Sequence, residues 1–192
     1  MIVPSQSQAL DHLADRLAAQ RTALPSAAIP FQLPESAAVD RQLREVGHLI
    51  VETSTSFQSW ITTEPPSESN ARAASAFAAA TDNLGQVVSA LGSIASMNAY
   101  FARTEVFRER PDVAASRKTA LRVLDLAVSN AQEELDEAIG NLRAESGAIT
   151  RLAEISRLDA ALTRTTVAGP ATSHALPPAQ AAAPTSTARK SR

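Results

Sequence analysis

Proline placement constrains this chain more than any other feature. Of its 11 prolines, none lies between 66 and 111, and none between 111 and 170. Proline removes a backbone donor and clashes inside a helix, so these two gaps admit two long helices, over about 69–110 and 112–166. Pro4, Pro25, Pro34 and the Pro65-Pro66 pair leave room for two shorter ones, over about 5–24 and 35–62. Alanine, the best helix former, accounts for 39 of 192 residues, and there are only 6 glycines. This composition disfavours an all-β fold, and no Gly-rich loop is available to cradle a nucleotide phosphate.

Apolar spacing supports the same four segments. Leu10, Leu13, Leu17 and Leu24 mark the first. Val39, Leu43, Val46, Ile50, Thr53, Phe57 and Trp60 keep an unbroken 4-3 pattern through the second. Phe77, Ala80, Leu84, Val87, Leu91, Ile94, Asn98 and Phe101 fill the seam of the third, with Ser67 or Ser69 as N-cap. Leu121, Leu124, Val128, Ala131, Leu135, Ala138, Leu142, Ile149 and Leu152 continue it in the fourth. There the spacing tightens to Ile155, Leu158 and Leu162, a stammer-like phase shift. The reading is an all-α, elongated antiparallel four-helix bundle with coiled-coil-like packing over residues 1–166. Aromatics are 4% of the chain, so its core is aliphatic. Residues 25–34 form a Pro-rich linker in which Ile29, Phe31 and Leu33 alternate, as expected of a strap lying along the bundle. Residues 167–192 form an Ala/Pro-rich tail without acids and ending in Arg189, Lys190 and Arg192. It is expected to be disordered.

Residues 83–102, NLGQVVSALGSIASMNAYFA, contain no charge. A half-buried helix normally carries a charged outer face. Here the positions off the seam are small, among them Gly85, Ser89, Gly92, Ser93, Ser96 and Ala99, and small residues let helix backbones approach closely. The expectation is a central helix contacted on nearly every side, with a second copy of the chain supplying neighbours that one copy lacks. A membrane span is the rival, but Asn83, Gln86, Asn98 and the serines make the stretch too polar for a simple one. Asn98 sits on the seam, where a buried Asn costs stability and fixes register or oligomeric state. Alternatively it bonds a serine or a backbone carbonyl, or borders solvent near the bundle end.

Motifs for chemistry are sparse. There are no cysteines, which removes disulfides and thiolate metal sites. Glu45 and His48 match the Glu-x-x-His element of di-iron bundles, but that site needs two such elements and two further Glu. Asp11, His12 and Asp15 lie on an outer helix face. Glu133, Glu134, Asp136 and Glu137 form an acidic cluster at flanking positions, with Arg143 one turn on. Thr53, Phe57, Trp60 and Phe77 fall at one end of the bundle, where packing competes with a small pocket. No catalytic, cofactor-binding or metal residue is assigned. A net charge of -2 argues against nucleic acid as a partner.

The sequence therefore points to a non-catalytic helical assembly, adaptor or structural protein working through protein contacts or self-association. Its candidate contact residues are Leu84, Val87, Leu91, Ile94, Asn98 and Phe101 on the third helix and Ile155, Leu158 and Leu162 on the fourth. A membrane- or granule-surface protein that exposes the third helix is the first alternative. A ligand-binding or enzymatic bundle is the second. The N-terminus lacks a basic region followed by a continuous apolar one, so no cleavable signal peptide is expected. That leaves a cytoplasmic protein or export by a non-classical route. Of the basic residues 16 are Arg and 2 Lys, which with the alanine content suggests a bacterial origin.

Overall fold

A computed structural model of the chain describes residues 5–24 and 33–167. Four helices follow one another: α1 (Gln6–Ala23), α2 (Ser36–Ile61), α3 (Glu68–Thr104) and α4 (Pro111–Val167), with a short 3-10 turn at Glu105–Phe107 between the last two. The chain divides into two compact units, Met1–Ile155 and Ser156–Arg192, and the packing described below belongs to the first. In the second, residues 156–163 are helical and exposed. The expected path of residues 25–32 and the expected disorder of the tail beyond Val167 fall outside the described residues.

The helix starts follow from local chemistry. Ser5 accepts a hydrogen bond from the Gln8 amide at 3.3 Å while the Gln8 side chain reaches back to the Ser5 amide at 3.0 Å. This capping box satisfies two of the amides left orphaned at a helix start. Ser67 caps α3 by accepting from the Asn70 amide at 3.1 Å. Pro111 is the first residue of α4, the position where its missing N–H costs nothing. Gly140 and Gly147 do not interrupt α4.

Polar contacts fix an up-down-up-down order. Gln6 meets Asn70 at 2.8 Å, so α1 and α3 begin at the same end. The Arg16–Glu52 pair and the donation from Gln42 to the Ala23 carbonyl run α2 back along α1. The Thr81 hydroxyl lies 3.0 Å from that of Thr53, joining α3 to α2. Arg72–Glu145 at 3.3 Å and Asn83–Glu134 at 3.0 Å pair α3 with α4 in opposite directions. Ser146 donates to the Ser7 carbonyl at 3.2 Å, and Arg143 meets Asp15 at 3.3 Å, setting α4 against α1. The product is an antiparallel four-helix bundle around an aliphatic core. Leu10, Leu17, Val39, Val46, Leu49, Leu84, Val87, Leu91, Ile94, Val128, Leu135 and Leu142 are its largest fully buried side chains.

Two details depart from the sequence reading. The α2 seam runs through Val39, Gln42, Val46, Leu49 and Thr53, leaving Leu43, Ile50, Phe57 and Trp60 half-buried. Gln42 enters the interior because its amide nitrogen has the Ala23 carbonyl to bond. Helix α3 also ends at Thr104 rather than near Arg110. Arg117 of α4 donates to the Phe101 carbonyl and to the Thr104 hydroxyl, each at 3.1 Å. A side chain from the next helix thus takes α3's terminal acceptor, and the chain turns there.

Candidate interaction surface

The third-helix candidates sit in the chain's own core. Leu84, Val87, Leu91 and Ile94 have no exposed surface, and Phe101 is also buried. A partner or a membrane reaches them only if α3 leaves its neighbours. Asn98, 9% exposed, donates to the Pro34 carbonyl at 2.8 Å. This matches the carbonyl alternative read from the sequence. With Gln42 on the Ala23 carbonyl, it brackets the connection between α1 and α2, and the side-chain oxygens of both amides are buried without a partner. The fourth-helix candidates Ile155, Leu158 and Leu162 are exposed by 55%, 65% and 64%.

The absence of charge in residues 83–102 has a different basis from the enclosure expected. Gly85, Gln86, Ser89, Ser93, Ser96, Ala99 and Ala102 are exposed. Neighbours within the chain cover only the inner side of α3, so its outer side is an uncharged strip of small residues open to water. Beside it, Val123 and Leu126 of α4 are exposed by 43% and 61%. They and Gln86, Ser89, Ser93 and Asn130 line a shallow groove of about 210 Å³ between α3 and α4. The sequence reading missed Val123 and Leu126 because both stand off the α4 seam. Their signal was present: they are three residues apart on the face that departs from the polar pattern of a solvated helix.

A second concavity of about 540 Å³ lies where α1, α2 and α3 meet. Leu13, Thr53 and Phe77 contribute to its wall, with Gln8, His12, Glu52 and Ser56. Its buried hydroxyl, that of Thr53, donates to the Leu49 carbonyl at 2.9 Å. Its carboxylate, Glu52, is held by Arg16. Glu52 and Thr53 thus already have partners, Arg16 of α1 and Thr81 of α3 among them.

No family model, curated protein or solved structure matches this chain.

The remaining charged candidates do not converge on one site. Glu45 and His48 are exposed on α2. No cluster of three or more metal-ligating residues occurs among the described residues. In the acidic cluster, Asp136 is met by Arg21 of α1 and Glu134 accepts from Asn83. Arg143 goes to Asp15 instead of the cluster. Near the α3–α4 turn, Arg117 and then Arg108 hold the Glu105 carboxyl below the usual carboxylate range through hydrogen bonds. Among the described residues, no helix is long and apolar enough to cross a membrane.

Proposed function

We propose that this chain is a non-catalytic helical assembly protein that works through protein contacts made by the outer face of α3 and α4. The observation that carries the reading is the exposure of Val123 and Leu126 beside the uncharged strip of α3. Single exposed apolar residues are ordinary. Here two of them adjoin a helix face that has no charge from Asn83 to Ala102, and a face of this kind gains little from water. Interface centres are depleted in charge in the same way.

Site-resolved crosslinking in the native cell tests this. A photoreactive residue at Ser89 or Asn130 should yield defined protein adducts, identified by mass spectrometry. The same residue at Thr55, exposed on α2, should yield none. Equal labelling at all three positions, or none anywhere, overturns the reading.

A further inference from the structure

The outer face of α3 carries a pattern that identifies its partner. Asp82, Gln86, Ser89, Ser93, Ser96, Tyr100 and Arg103 follow one another at spacings of four and three, so they share one stripe. It has an acid at one end, a base at the other and nothing charged between. Neither Asp82 nor Arg103 forms an ion pair among the described residues, and both are exposed. The point midway between them lies between Gly92 and Ser93.

We propose that this face binds a second copy of the chain, with the two α3 helices antiparallel about a two-fold axis through that midpoint. The proposal rests on the preceding reading and names the partner. Three features converge on this axis. First, it sets Asp82 of each copy against Arg103 of the other. A parallel pairing would instead place acid against acid and base against base. Second, it sets Tyr100, half-buried with its ring 5.8 Å from that of Phe101, opposite Gly85. A methyl group built on Gly85 meets nothing within 4 Å in its own chain, so the space above that glycine is open to receive the ring.

Third, α4 independently gives the same centre. Asn83 meets Glu134 and Arg72 meets Glu145, so the two helices run past each other in constant register. That register places the midpoint of Val123 and Leu126 level with the Gly92–Ser93 step. The axis therefore also lays Val123 of one copy over Leu126 of the other and covers both exposed apolar side chains. Serine and glycine between the helices allow their backbones close approach.

The area is adequate for a modest dimer. Asp82 to Arg103 spans ~32 Å at 1.5 Å per residue, and two helices about 10 Å apart make a face roughly 20 Å wide. Each copy then buries on the order of 600 Å², at the lower end of what specific interfaces cover. The dimer is expected to dissociate on dilution.

The lack of cysteine makes the register directly readable in the purified full chain. In the proposed pairing Ser89 faces Ser96, whereas Ser89 and its own copy lie ~10 Å apart along the axis, beyond disulfide reach. Mild oxidation of an equimolar mixture of Ser89→Cys and Ser96→Cys chains should therefore give mixed disulfide dimers in large excess over either chain alone. Sedimentation velocity over a concentration series should show a monomer–dimer equilibrium. Asp82→Arg should weaken it about tenfold, and Asp82→Arg combined with Arg103→Asp should restore it. Both positions are exposed, so the fold is not at stake, and circular dichroism checks this. A chain that stays monomeric at every concentration, or self-linking of Ser89→Cys exceeding the mixed product, overturns the proposal. If native-cell crosslinks at Ser89 then join a different protein, the broader reading survives without self-pairing. If they are absent too, both fall.

Discussion

The guanidinium carbon of Arg117 lies 4.9 Å from the centre of the Phe101 ring, while the same side chain donates to the Phe101 carbonyl. One residue of α4 thus holds both the side chain and the backbone at the end of α3. Arg117→Ala removes the ring contact and leaves that carbonyl only the longer bond from the Thr104 hydroxyl, at 3.4 Å. Stability should fall by roughly 1–3 kcal/mol, measured by urea unfolding. Arg117→Lys keeps the charge but loses the planar fork and should recover less than half of the loss.

Asn98→Asp should be more damaging than Asn98→Ala. The carboxylate has no N–H for the Pro34 carbonyl and brings a charge into a buried position, costing about 3 kcal/mol or more. Alanine forfeits the hydrogen bond and also removes the unpartnered oxygen, so its cost should be nearer 1 kcal/mol. The stability difference between the two variants should narrow at low pH, where the aspartate is neutral.

Leu91→Ala and Leu126→Ala should separate core from surface. Leu91 has no exposed area, so truncating it should cost roughly 2–5 kcal/mol. Leu126→Ala should stay within about 0.5 kcal/mol for the monomer. Leu91→Asp is therefore a test of the fold and reports on assembly only through unfolding.

Gly85→Ala and Gly92→Ala meet nothing within 4 Å in the chain itself. Each should stabilise the isolated bundle by up to about 1 kcal/mol through helix propensity. Thermal unfolding at high dilution reads this gain. Loss of stability would mean that the helix needs glycine there for a reason other than space.

Acid should weaken the α3–α4 turn through Glu105. Glu105 titrates below the ordinary carboxylate range because Arg117 and Arg108 bond its ionised form. Its contribution is fully present above the unfolded pKa and is lost as pH falls through the lower folded value. The stability difference between the native chain and Glu105→Gln should therefore shrink as pH drops through that window. A difference that does not change with pH would remove Glu105 from the account.

Much of this architecture is legible in the order of residues. Prolines and the 4-3 spacing locate the helices, and Leu84, Val87, Leu91 and Ile94 are buried as their periodicity demands. What escaped depends on contacts between helices. The end of α3 is set by Arg117, which lies 13 residues beyond Thr104, so no local signal marks it. Gln42 reads as polar surface until the Ala23 carbonyl is beside it. Periodicity separates the inner side of a helix from the outer, but it does not say how many neighbours the outer side has. The neutral face of α3 therefore read as enclosed, although it faces water.

The constant register between α3 and α4 has a bearing on how such a chain can change length. Adding or removing a single residue in either helix rotates everything beyond it by about 100° and turns Leu-lined positions to water. Excising seven residues at the same level from every helix would instead shorten the four-helix bundle by ~10 Å and leave the remaining facing partners opposed. Variants of this bundle should therefore tolerate growth and shrinkage in matched heptads far better than in single residues.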